Sequence, residues 1–174
     1  MSKYVIIVCC WTMLSFCQTL GLSASGDTGK IMAPTFYMPG LDGRDFFLSQ
    51  CFTDQTRSRA VDAVVLSFFT TGCMACRREI PIMMELRDSL TNISFYLINI
   101  AEGKNKVQKF VDEMQYDLPV LLDLYGIVST EKYNIHAAPA VVVIGKNRHL
   151  LFKKVGLPEN PTKYYKHLLD SLLN

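Results

Sequence analysis

The stretch from Ala60 to Pro81 constrains this chain more than any other. An apolar run, Val-Val-Leu-Ser-Phe-Phe at 64–69, passes through Thr-Thr-Gly into Cys73-Met-Ala-Cys76-Arg-Arg-Glu-Ile-Pro. The β-branched and aromatic content of the run predicts a strand buried on both faces. After it, Cys76, Ile80, Met83 and Leu90 recur at helical spacing, which predicts an amphipathic helix. Pro81 falls inside that helix and should kink it.

The remaining segments extend the alternation. Asn-Ile-Ser-Phe-Tyr-Leu-Ile-Asn-Ile at 92–100 reads as a second strand, and 104–115 as a helix with Val107, Phe110, Val111 and Met114 inward. Leu118 to Asp123 is short and extended, and 124–135 is a further short helix. Residues 138–145 form a strand opened by Pro139. A Gly-Lys-Asn-Arg turn leads to a partner strand at 149–156, and a closing helix has Pro161 near its start. Upstream, Thr35 to Ser49 places aromatic arms around Gly-Leu-Asp-Gly, a hairpin signal. The sum is an α/β sandwich, with the first two long strands parallel across a right-handed helical crossover and the last two antiparallel.

The N-terminus has another character. Lys3 precedes an apolar stretch of about 14 residues and then small residues, with no charge before Asp27. We read 1–25 as a signal peptide, with an uncleaved membrane anchor as the alternative, and 26–174 as a single domain that opens on a polar linker. Export leads to a periplasmic or other extracytoplasmic location. It puts Cys51, Cys73 and Cys76 where disulfides persist, and Cys9, Cys10 and Cys17 belong to the targeting segment. The formal net charge is +2, and no basic run exceeds two residues, so nucleic acid is not an expected partner.

Cys73 stands where a buried strand turns into a helix. Unpaired N–H groups and the positive end of the macrodipole favour a thiolate there, and such placement lowers a cysteine pKa from about 8.5 to roughly 3.5–7.5. Cys76, one turn on, can close a small ring with Cys73, which suits attack by Cys73 and resolution by Cys76. Arg77 and Arg78 add local positive charge. Zinc needs four ligands, and this chain offers one Cys pair, Cys51, and scattered His136, His149 and His167. A purely structural disulfide over so few residues would restrain the unfolded chain least. Cys51 reads as a buried small hydrophobe, or else as a regulatory or intermolecular thiol.

The strand, Gly-Cys-Met-Ala-Cys-Arg-Arg-Glu-Ile-Pro and the later Ala-Pro-Ala-Val-Val-Val-Ile together resemble the thioredoxin superfamily. They are most similar to TlpA-like and ResA-like exported thiol–disulfide oxidoreductases, which share Ala-Pro-Thr-Phe at 33–36, the hairpin, Cys-x-x-Cys-x-x-Glu-x-Pro and an insert before the second proline motif. The resemblance covers about residues 33–172. It implies a thioredoxin fold: a central mixed β-sheet flanked by helices, with an N-terminal hairpin extension and a central insert. It implies that Pro139 is a cis-proline facing the dithiol, that Ala138 and Pro139 align a substrate chain, and that Glu79 and Glu102 are active-site carboxylates. Glu79 lies one helical turn beyond Cys76, so it can take up the Cys76 proton. Most relatives have Trp before the first cysteine, and here Gly72 leaves the nucleophile more open to substrate.

The implied activity is reduction of disulfides in exported proteins by a Cys73/Cys76 dithiol without another cofactor. A membrane thiol–disulfide donor would recharge it, and cytochrome c maturation is one role. Two other functions compete. Thr70-x-x-Cys73 echoes peroxiredoxins, although the proline expected ahead of the threonine is missing, at Leu66 and Ser67. The Cys pair, with His136 as a further ligand, could instead bind Cu(I) in a copper or assembly partner.

Overall fold

The computed structural model describes residues 31–53 and 61–173, so the predicted signal segment lies outside the described residues. Among the described residues the first elements are two short strands, β1 (Tyr37–Pro39) and β2 (Asp45–Phe47), paired antiparallel as a hairpin through Met38↔Phe46. Gly43, at φ 83°, takes the left-handed turn conformation that a Cβ would disfavour. A single helical turn, α1 (Gln50–Thr53), follows.

The core sheet is built from β3 (Ala63–Phe69), β4 (Ile93–Ile100), β5 (Val120–Asp123), β6 (Ala140–Gly145) and β7 (Leu150–Val155), in spatial order β5-β4-β3-β6-β7. β3 pairs parallel with β4 through Val65↔Phe95, and antiparallel with β6 through Val65↔Val143. β6 and β7 are antiparallel. The expected parallel pairing of β3 with β4 and antiparallel pairing of β6 with β7 both hold. Every residue of β3 is buried, as its unbroken apolar pattern requires at the centre of a covered sheet.

Helices α2 (Met74–Ser89), α3 (Lys104–Met114) and α4 (Pro161–Leu173) are the longer helices among the described residues. α2 is continuous through Pro81 and buries Cys76, Glu79, Ile80, Met83 and Leu86. Together with α4 it covers one face of the sheet, where Ile80, Met83, Tyr165 and Leu169 join Val65, Phe69 and Leu97 in one core. A second core on the opposite face gathers Phe36, Met38, Leu48 and Tyr133 against Leu66, Phe68, Ile98 and Val142. Strand alternation divides β3 between the two.

Three details differ from expectation. The strand predicted from 138 begins at Ala140, after the proline, because Pro139 has no N–H for the ladder. The predicted short helix at 124–135 is one π-helical turn, Val128–Lys132, tied to the sheet by Asp123, which accepts from Ser129 N at 2.7 Å and Ser129 Oγ at 2.6 Å. The end of the polar linker is fastened: Met32 bridges His149, and Ala33 N donates to the Arg148 carbonyl at 2.7 Å.

Candidate active site

Parallel strands bring their C-terminal ends to one side of a sheet. β3, β4 and β5 all finish there, and antiparallel β6 begins there, so four connections meet: Thr70–Cys73, Ala101–Glu102, the loop after Asp123, and Ala138–Pro139. A disulfide joins Cys73 and Cys76, with Cα atoms 5.2 Å apart. Cys73 is the N-cap of α2 with extended backbone (φ −82°, ψ 106°), and its Sγ accepts from Cys76 N at 3.0 Å. Sulfur therefore occupies the place where Ser or Asp usually satisfies an orphan helix N–H, at the positive end of the dipole. Cys73 is half-buried and Cys76 fully buried. One sulfur is open to an incoming group and the other is screened.

Arg77 bears on the same turn. Its guanidinium donates to the Thr71 carbonyl at 3.4 Å and lies 5.2 Å from the centre of the Phe110 ring. The cation is thus stacked close to the Cys73 loop.

Two carboxylates support the site differently. Glu79 is wholly buried in α2. Tyr165 Oη donates to its Oε1 at 2.6 Å and Ser67 Oγ to its Oε2 at 3.1 Å. Burial pushes the Glu79 pKa above the ordinary carboxylate value, and the Tyr165 and Ser67 hydrogen bonds offset only part of that. Glu102 is a clamp. Its Oε2 accepts from Thr71 N and Asn99 Nδ2, and its Oε1 from Thr71 Oγ1 and Lys106 Nζ, all at 2.7 Å. Burial alone would raise its pKa, but Lys106, Asn99 and the two Thr71 donors prevail and hold it at about 2. It stays ionised near neutrality, binding the turn before Cys73 to the end of β4.

The Ala138–Pro139 peptide is cis. The Phe68↔Ala140 register puts this pair beside the end of β3, and Ala138 packs against the same core cluster as Cys73. Pro139 is buried, and its carbonyl accepts from Gly156 N at 2.7 Å. Gly72 is exposed, and a Cβ built there would meet nothing within 4 Å. His136 is exposed and hydrogen-bonded to Asn134.

A profile of the AhpC/TSA family matches residues 30–153. The chain belongs to the AhpC/TSA family. Among curated relatives, the thiol-disulfide oxidoreductase ResA of Geobacillus thermodenitrificans is 30% identical over 117 residues, 66% of this chain and 62% of that protein. The chain therefore spans about three fifths of the length of that relative. The thioredoxin-like protein YneN of Bacillus subtilis is 28% identical over 85 residues, 47% of this chain and 49% of that protein. Among solved structures, a thiol:disulfide interchange protein of the thioredoxin family from Chlorobium tepidum TLS superposes with a TM-score of 0.67 at 22% identity, covering 83% of this chain and 97% of that one. The thioredoxin domain of a thiol-disulfide oxidoreductase from Bacteroides vulgatus gives 0.66 at 16% identity, again over 83% and 97%. These likenesses establish that this AhpC/TSA protein has the thioredoxin fold.

The structure thus gathers Gly72, Cys73, Cys76, Glu79, Glu102, Ala138 and Pro139 at one end of the sheet. Sequence reasoning missed Ser67, Thr71, Asn99, Lys106 and Tyr165. Ser67 left a signal, being the one polar residue in the run 64–69. Tyr165 left none, since 86 residues separate it from the carboxylate it binds.

Proposed function

We propose that the protein is an extracytoplasmic thiol–disulfide oxidoreductase that reduces disulfides in exported proteins through Cys73 and Cys76. The observation that carries this reading is the half-buried Cys73 Sγ at the N-terminus of α2, accepting from a helix N–H, with Cys76 buried one turn behind it. In the reduced protein the same position favours the Cys73 thiolate. That thiolate attacks one sulfur of a substrate disulfide, forming a Cys73–substrate bond and expelling the other substrate sulfur as a thiolate. Cys76 gives its proton to Glu79 and attacks the Cys73 sulfur. The protein disulfide closes, and the second substrate sulfur leaves as a thiolate. With protons returned, the substrate gains two electrons and two protons, and the dithiol loses them. No other cofactor is required, and a membrane thiol–disulfide protein is the donor that restores the dithiol.

The relatives named thiol-disulfide oxidoreductases support this chemistry. The apolar segment after Lys3 supports export. The open space over Gly72 leaves room for a bulky disulfide substrate to approach the Cys73 loop. Assistance to cytochrome c maturation, by keeping haem-binding cysteines reduced, is one role compatible with this chemistry.

Equilibration of the purified protein in a dithiothreitol or glutathione series tests the proposal. We expect one reversible two-electron couple toward the reducing end of the roughly −270 to −120 mV spanned by such dithiols. A value at the oxidising end would reverse the direction of electron flow. Absence of a reversible couple, or consumption of hydrogen peroxide in preference to disulfides, would reject the reading.

A further inference from the structure

Glu79 sits in an unusual setting for a proton acceptor, and the groups that make it unusual come from distant parts of the chain. Its helix packs against β3, β4 and α4. From β3 the polar group reaching it is Ser67, and from α4 it is Tyr165, which is 2% exposed. β3 and β4 carry no charged residue between their first and last positions. The charged groups of α4, Lys163, Lys166 and Asp170, are exposed, as are Arg77 and Arg78 on its own helix. Cys76, one turn back, is the other titratable neighbour. So the balance between charged and neutral Glu79 is set by burial on one side and by two hydroxyl donors on the other.

We propose that Tyr165 is a positioning residue for the exchange reaction: its hydroxyl, with Ser67 as the weaker second donor, fixes the Glu79 carboxylate and sets how readily it takes and releases the Cys76 proton. This rests on the reading of Cys73/Cys76 as an exchanging dithiol. Both hydroxyls donate to the ionised carboxylate, one to each oxygen. A protonated carboxyl must place its own hydrogen on one of them, and that hydroxyl then has to turn its hydrogen elsewhere. The pair therefore favours the anion, the form able to accept a proton, in a place where burial favours the acid. Tyr165 has no easy substitute among its core neighbours, since Leu169 and Met83 carry no donor.

The test is Tyr165→Phe, which keeps the ring and removes only the donor, compared with the wild type by carboxyl 13C NMR titration. Glu79→Gln assigns the resonance. Loss of a hydrogen bond to a charged group should raise the Glu79 midpoint by about one to two pH units. The acid limb of the pH profile for disulfide reduction should move up with it, whereas a ring that merely fills space would leave both unmoved. Ser67→Ala should shift both in the same direction by less, and it supplies the measurement should Tyr165→Phe fail to fold. A folded variant with an unmoved Glu79 midpoint overturns the proposal while leaving the oxidoreductase reading intact. A wild-type protein without an exchangeable dithiol removes both.

Discussion

The two cysteines differ by what surrounds each sulfur. Cys73 caps a helix and is half-open, and Cys76 is buried in the core behind it. Their roles should separate on substitution. Cys73→Ser should abolish disulfide reduction. Cys76→Ser keeps the nucleophile but loses the group that releases the substrate, so covalent protein–substrate adducts should accumulate, visible by non-reducing electrophoresis and intact mass. Full activity in Cys73→Ser would refute the assignment of the nucleophile. This asymmetry was readable from the spacing and from the strand-to-helix junction, since both follow from local backbone geometry. The environment of Glu79 was not, because its strongest partner arrives through tertiary packing. Cys51 behaves as a core residue, with its Sγ 3.9 Å from Tyr96 Oη.

Between elements, the turn from β3 to α2 is held by Glu102 from the end of β4. Its carboxyl lies at about 2 instead of the ordinary 4.5, so its stabilising effect is complete above about pH 4.5 and is lost as pH falls toward 2. We expect Glu102→Gln to lower stability by about 1–3 kcal/mol in denaturant titrations at pH 7, with the deficit shrinking below pH 4. It should also slow iodoacetamide alkylation of reduced Cys73, as the turn that aims the thiolate loosens. A deficit independent of pH would show that the clamp is not electrostatic. Strands and helices were legible as elements because long apolar runs and 3.6-residue spacing depend only on neighbours in sequence. The π-helical turn at 128–132 was not, since the buried Asp123 carboxylate that anchors it comes from the preceding strand. Glu102 was found as a carboxylate near the site, but its four donors become visible only when β3, β4 and α3 come together.

Across the whole molecule, β3 is shared by two cores. Val65 and Phe69 face α2 and α4, and Leu66 and Phe68 face the hairpin side. Phe68 is fully buried, and its ring centre lies 5.9 Å from that of Tyr133 with the planes tilted by 53°. Phe68→Ala should cost roughly 3–5 kcal/mol of unfolding free energy. Far-ultraviolet circular dichroism and tyrosine fluorescence should still report one coincident transition; two separated transitions would mean that the cores fold independently. The order in which the chain is made adds a consequence. The helix bearing the acceptor carboxylate emerges from the ribosome 86 residues before the hydroxyl that completes its surroundings. On the role proposed for Tyr165, a nascent chain that has not yet added α4 carries both sulfurs but lacks the donor that fixes Glu79, so the proposed exchange reaches full competence only once α4 has been made.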